Sequence, residues 1–190
     1  KLFLIDAMAM IYRAFYAMNK SPRINSKGLD TSAAFGFFNT LLSLLKQYKP
    51  THIGIAFDLH GPTFRHKEFA DYKSNRQATP DEIRQMEPYI RDIIDAMHIP
   101  ILSSEGYEAD DVIGTLAKQA AKQGFEVYMV TPDKDYAQLV EENVRILKLG
   151  RMGSDAEIWG VDEVLQKFEI EQPKQVIDIL GLWGDSSDNI

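Results

Sequence analysis

GYEADDVIG, residues 106–114, sets Glu108, Asp110 and Asp111 within four positions, just ahead of the apolar spacing of a helix. Acids in a first helical turn are favoured by the helix dipole, each by about 0.3–1 kcal/mol. That accounts for one acid more readily than for three. The other reading is that they converge with further acids on cations. The surroundings of the stretch decide, because it follows the short apolar run IPIL (99–102) and opens a helix from about Ala109 to Gln123, closed by Gly124.

The unit of apolar run, acid and helix recurs. KLFLI (1–5) reads as a buried strand, ends on Asp6 and leads into a helix from Ala7 to Met18. Thr31–Tyr48 is an amphipathic helix with Phe35, Phe38, Leu42 and Leu45 at helical spacing, stopped by Pro50. HIGIAF (52–57) is a second strand and ends on Asp58. Thr79 is placed to cap a helix that starts at Pro80, carries Asp81 and Glu82 in its first turn and runs to about Met97. VYMVT (127–131) is a fourth strand, followed by Asp133 and Asp135, and VRILKL (144–149) a fifth. Two short helices near 161–168 and 174–182 precede GDSSDNI (184–190), with Asp185 and Asp188. Strands alternating with helices predict an α/β fold with a central, mainly parallel sheet and helices on both faces.

Composition narrows the classes. A chain of 190 residues, 45% hydrophobic and with net charge −7, suits one soluble globular domain. Without cysteine there is no disulfide frame, thiolate metal site or cysteine nucleophile, which fits a reducing cytoplasm. No apolar run has the length of a membrane span and no signal peptide shows, so no membrane partner is expected, and a monomer is. Phosphate loops of the P-loop or GxGxxG type are missing, as is a nucleophile elbow. His52, His60, His66 and His98 lack metal-ligand spacing and read as structural or surface residues.

In a parallel sheet the strand ends share one edge, and that carboxyl edge is where open α/β sheets bind ligands. Asp6, Asp58, Glu108, Asp110, Asp111, Asp133 and Asp135 all follow strands, and Asp185 and Asp188 join them if the last turn folds back. Nine carboxylates so placed repel one another or rise in pKa. Hard divalent cations with oxygen ligands, Mg²⁺ or Mn²⁺, resolve the conflict. Two such ions are a common apparatus for phosphodiester hydrolysis. Setting the nine acids aside turns −7 into +2, so the remaining surface is not hostile to a polyanion.

The segment 59–79 then gains a role. Arg65, His66, Lys67, Lys73 and Arg76 are interleaved with Phe64, Phe69 and Tyr72, with no clean period. Basic groups contact phosphates, and aromatic faces stack on unpaired bases for about 1–3 kcal/mol each. Directly after an acidic strand end, the segment reads as a channel wall for a nucleic-acid substrate. Arg13, Lys20, Arg23 and Lys27 add positive charge near the first strand.

Six blocks carry a resemblance: FLIDA (3–7), AFD (56–58), TFRHKEFADYKSNR (63–76), GYEADDVIGTLA (106–117), VTPDKDYAQL (130–139) and GDSSDNI (184–190). In this order they resemble the 5′-nuclease domains of bacterial DNA polymerases I, within the flap-endonuclease superfamily. The resemblance spans the whole chain. It implies a PIN-like, flap-endonuclease fold with a helical arch over about 59–98, and two-metal cleavage of DNA at 5′ flaps and 5′ ends in primer removal and excision repair. Carried over by motif, the nine acids look like metal ligands, with Mg²⁺ expected and Mn²⁺ able to substitute. Asp110, Asp133, Lys73 and Arg76 are the residues implied for catalysis, the last two engaging the scissile phosphate. Tyr72 looks like a stacking platform, and Arg13, Arg65 and Lys67 like further DNA contacts. The implied partners are branched or nicked DNA and the polymerase domains of the same parent chain.

Two departures stand out. Ala7 follows Asp6 where many relatives have Gly, and the Gly-rich helix–turn–helix that holds duplex DNA would lie beyond residue 190. The competing readings are a phosphatase with an aspartate nucleophile, which leaves the basic, aromatic segment without a purpose, and a catalytically incomplete fragment that only binds DNA structures.

Overall fold

A computed structural model describes residues 1–59, 61–150 and 156–189. His60, residues 151–155 and Ile190 lie outside the described residues, so the expectation for His60 is not addressed.

β1 (Leu2–Asp6) is the hub of the sheet. It pairs in parallel with β2 (His52–Ala56) on one side and β4 (Val127–Val130) on the other. β3 (Ile101–Leu102) extends the first side, and β5 (Val144–Lys148) the second. β6 (Glu157–Trp159) closes that edge antiparallel to β5, giving the order β3-β2-β1-β4-β5-β6. The parallel α/β sheet is thus as expected. The antiparallel edge strand was not foreseen, since three residues are too few to set a period. The order reverses at the β1/β4 boundary, the switch point where ligands bind outside the carboxyl ends of such sheets.

Period-two alternation splits the core into two layers. Phe3 and Ile5 face one side of the sheet and Leu4 the other. On the first side pack α1 (Ala7–Met18), α2 (Ser32–Tyr48) and α4 (Asp81–Ala96). On the second lie α5 (Ala109–Lys122), α6 (Val161–Phe168) and α7 (Val176–Trp183), together with a 3₁₀ turn over Lys134–Leu139. Gly114 lets α5 approach that turn closely, because a Cβ there would lie 3.0 Å from Leu139 Cδ1. The approach draws the acid triplet at the start of α5 toward Asp133 and Asp135.

Three local expectations are corrected. The buried stripe of α2 is Ala34, Phe37, Leu41 and Leu44, whereas Phe35 and Leu42 are exposed. α2 is apolar around most of its circumference, so several stripes satisfy the same period. The cap of α4 is Pro80 rather than Thr79, whose hydroxyl accepts a hydrogen bond from Tyr12 instead. Finally, α4 does not belong to an arch. Its Ile83, Met86, Ile90 and Ile94 are buried in the core. Before it, Phe64–Glu68 forms a short helix, α3.

Candidate active site at the carboxyl edge

Register brings the strand-end acids together. Asp6 is level with Ala56 of β2, and Ile5 with Val130 of β4, so Asp58 and Asp133 lie just past the same edge. Asp6 caps α1, its Oδ1 accepting from Ala9 N at 3.0 Å and its Oδ2 from Thr131 Oγ at 3.2 Å. Asp58 Oδ1 accepts from Ala109 N at 2.8 Å, which ties the end of β2 to the start of α5. Asp133 Oδ1 accepts from Asp135 N at 3.0 Å. At the head of α5, Asp111 Oδ2 accepts from Glu108 N and Asp110 Oδ1 from Asp111 N. The helix-dipole reading of the triplet is therefore partly true, since two of the acids also cap their helix.

Burial and crowding leave three acids hard to ionise. The carboxyls of Asp6, Asp110 and Asp135 are each pushed up to about 6. Loss of water is the main cause in each case, and neighbouring acids add to it: Asp58 and Asp133 for Asp6, Asp111 and Glu108 for Asp110, Asp133 and Asp185 for Asp135. Asp111 goes the other way. Burial would raise it, but the Arg65 guanidinium and the Glu108 N–H outweigh that and hold it below the usual range. Asp185 is also held low, by the Ser187 hydroxyl and N–H.

The basic segment lies on these acids. Arg65 grips Asp111 through two hydrogen bonds of 2.7 and 2.8 Å. Lys73 Nζ reaches both oxygens of Glu108 at 2.8 and 2.7 Å. Arg76 pairs with Asp188, and Arg65 lies 3.6 Å from Glu108. The 185–189 turn does fold back, since Lys73 N donates to Asp188 O and Asn75 to Ser186 O. Lys73 sits in the left-handed region at φ 57°, a conformation a lysine adopts only when its surroundings impose it. As the residues stand, no three histidines or acids among the described residues close around a single cation position. Arg65, Lys73 and Arg76 instead pair with three of the acids, Asp111, Glu108 and Asp188. The donor set nevertheless fits a hard divalent ion: it is all oxygen, and Asp135 Oδ1 is buried with no hydrogen-bond partner among the described residues.

The remaining sequence-derived site residues are less central. Tyr72 is buried, not offered to a base, and its hydroxyl donates to Glu108 at 3.0 Å and to Asp188 at 3.1 Å. Phe64, Phe69 and Tyr107 are the exposed aromatics in this region. Arg13 points its guanidinium at the Gly150 carbonyl. Lys67 is exposed and makes no ion pair among the described residues. Two residues at the site escaped the sequence reading: Thr131, which binds Asp6, and Tyr136, which lines the cavity beside Asp110 and Asp135. Adjacency to Asp133 and Asp135 was the only signal for either.

The sequence model of the 5′-3′ exonuclease N-terminal, resolvase-like domain matches residues 1–169. The chain belongs to this family. It is 44% identical over 191 aligned positions to DNA polymerase I of Bacillus subtilis, covering all of this chain and 21% of that protein. A 5′-3′ exonuclease of Aquifex aeolicus is 39% identical and is covered to 63%. The chain thus spans about a fifth of the polymerase relative's length. Among solved structures, T5 5′-exonuclease with bound zinc superposes with a TM-score of 0.77 at 21% identity, covering all of this chain and 68% of that one. The catalytic core of Rad2 in complex with DNA superposes at 0.60 with 20% identity, covering all of this chain and 56% of that one. Both show a shared fold, with its sheet flanked by helices.

Proposed function

We propose that this 5′-3′ exonuclease domain is a divalent-metal-dependent, structure-specific 5′ nuclease that hydrolyses DNA phosphodiesters at 5′ flaps and 5′ ends, as one part of a cytoplasmic DNA polymerase I. One observation supports the reading most: acids from successive strand ends lie along the carboxyl edge of the sheet, and Arg65, Lys73 and Arg76 of the 61–80 segment pair with Asp111, Glu108 and Asp188 beside that edge. The acids ask for cations, and the cations beside them suit a phosphate.

Asp110, Asp133 and Asp135, with Asp6, Asp58, Glu108, Asp111, Asp185 and Asp188 around them, are the residues that would hold Mg²⁺, with Mn²⁺ as a substitute. When bound, such ions lower the pKa of an attacking water and neutralise charge developing on the phosphate. The chain's own part is positioning. Asp6 and Asp58 are fixed by hydrogen bonds from Ala9, Thr131 and Ala109, so their carboxylates have little freedom to reorganise. With Glu108, Asp111 and Asp188 engaged as ligands, Lys73, Arg65 and Arg76 would be released to turn to the phosphate backbone. Lys73 and Arg76 would face the scissile phosphate, where a preorganised charge acts mainly in the transition state. Metal-bound and DNA-bound relatives of this fold, T5 exonuclease and Rad2, accord with this reading.

Cleavage of a 5′-flap DNA in Mg²⁺, compared with EDTA, tests the proposal. Incision near the flap junction that needs the metal is expected, and Lys73→Ala should slow single-turnover cleavage far more than it weakens DNA binding. Binding of the flap with no incision under any divalent metal would leave only a DNA-structure-binding module. A covalent aspartyl-phosphate on the protein would point to the phosphatase reading.

A further inference from the structure

Only two side-chain polar atoms are buried without a hydrogen-bond partner among the described residues, and they belong to consecutive residues: Asp135 Oδ1 and the Tyr136 hydroxyl. Tyr136 is 2% exposed and sits in the 3₁₀ turn directly after β4. It lines a cavity of about 370 Å³ together with Arg65, Asp110, Asp111 and Asp135. It therefore shares its cavity with three of the nine acids, Asp110, Asp111 and Asp135. A buried hydroxyl without a partner destabilises the fold that contains it. Phenylalanine would fill the same space without that cost. Among the described residues the hydroxyl thus has no partner in the metal-free packing, while a donor sharing a cavity with acceptor-only carboxylates has a use when oxygens around a cation must be held in a fixed orientation.

We propose that Tyr136 is a positioning residue for divalent-cation binding, its phenol donating a hydrogen bond to the oxygens that gather in the Asp110–Asp135 cavity when a cation enters. The inference rests on the metal-dependent reading above and adds to it a residue outside the nine acids. It makes two predictions of opposite sign for one variant. In EDTA, Tyr136→Phe keeps or raises the melting temperature, because it deletes an unpartnered buried group. In the presence of cation it loses, because the loaded site has lost its donor.

The experiment is thermal unfolding of the parent and Tyr136→Phe in EDTA and across titrations of Mg²⁺, Mn²⁺ and non-catalytic Ca²⁺, with Mn²⁺ affinity read directly by electron paramagnetic resonance. The expected result is an unchanged or higher melting temperature without metal, with Mn²⁺ affinity weakened about tenfold or more. Equal Mn²⁺ affinity for parent and variant overturns the role of Tyr136 and leaves the nuclease reading intact. A drop of several degrees in EDTA also overturns it, since the hydroxyl would then serve the metal-free fold. A parent that binds no divalent cation at all sinks both.

Discussion

The acids at the strand ends and the cations of the 61–80 segment meet at one place but are held there by different forces. Asp6 follows a strand whose Phe3, Leu4 and Ile5 are all buried, and Asp133 follows β4, buried along its length. Their positions are inherited from the hydrophobic core and the ladder register. The 61–80 segment has little core of its own. α3 buries no residue, and apart from Thr63 and Tyr72 the segment is exposed or half-buried. What holds it is polar: the ion pairs Arg65 to Asp111, Lys73 to Glu108 and Arg76 to Asp188, with hydrogen bonds from Tyr72, Asn75 and the N–H groups of Phe64 and Lys73 beside them. One side is a fixed frame and the other a polar latch. On the function proposed above, that division would keep the acids fixed while a substrate strand enters.

The sharpest break in this comparison comes from the frame's own chemistry. Asp110→Asn and Asp133→Asn each keep shape and remove a charge, and each should cut flap cleavage by about a thousandfold or more, roughly 4 kcal/mol of transition-state stabilisation. Folding stability should hold or rise, because repulsion among the acids is relieved. Near-normal rates for either variant at saturating Mg²⁺ would remove that residue from the site.

Next in size is damage to the frame from below. Ile5 is fully buried one residue before Asp6, so Ile5→Ala should cost about 2–5 kcal/mol of unfolding free energy, read by urea denaturation. If the acids are placed by the core, the change should also weaken metal binding, although residue 5 touches no cation. Loss of stability with unchanged Mn²⁺ affinity would mean that the loops alone set the acids.

The pH dependence separates the two regions as well. In Asp6 the folded carboxyl is pushed up from 3.8 to about 6, so between these values the folded state binds the proton more tightly than the unfolded one. Its stabilising contribution is present below about pH 4 and is lost as pH rises through about 6. Above that, a charged Asp6 penalises the metal-free fold by on the order of 2–3 kcal/mol. Asparagine can keep the cap on Ala9 without that penalty. Asp6→Asn in EDTA should therefore be more stable than the parent at pH 7, with the gap closing toward pH 4. Parallel stability curves for the two proteins would show that Asp6 is well solvated. Asp111 has the opposite sign: the stability from its Arg65 pair is present at neutral pH and fades as pH falls below the carboxylate range.

The frame was legible in the sequence and the latch was not. Apolar runs ending in acids at 6, 58, 108–111 and 133–135, with helices between them, predict a parallel sheet with one charged edge, because strand period is local and an intervening helix returns the chain to the same edge. Block matches along the chain pointed to the family to which it belongs. The folded position of the 61–80 segment follows instead from long-range ion pairs, such as Arg65 with Asp111, 46 residues apart, and Lys73 with Glu108, 35 apart. Nothing local encodes them, so the sequence did not reveal that Arg65 and Lys73 rest on acids or that Tyr72 is buried. Tyr136 was hidden for the same reason, since its role depends on which acids surround it. The stripe on α2 failed more simply, because a helix apolar on most sides offers more than one.

The smallest expected effect concerns the latch itself. Arg76 is half exposed, and exposed ion pairs contribute little once side-chain entropy and screening are counted. Arg76→Ala should therefore change global unfolding free energy in EDTA by less than about 1 kcal/mol, and less still in 1 M salt. The local consequence should be larger than the global one. Arg76 also donates to the Ser187 carbonyl, so its loss frees the 185–189 turn together with the 61–80 segment. Limited proteolysis should show faster cutting within 61–80 while the core remains intact. Mg²⁺ should produce the same opening in the parent by competing for Asp188 and Glu108, and should add little in the variant. If Arg76→Ala instead lowers global stability by several kcal/mol, the 61–80 segment is part of the cooperative fold, and the distinction between frame and latch fails.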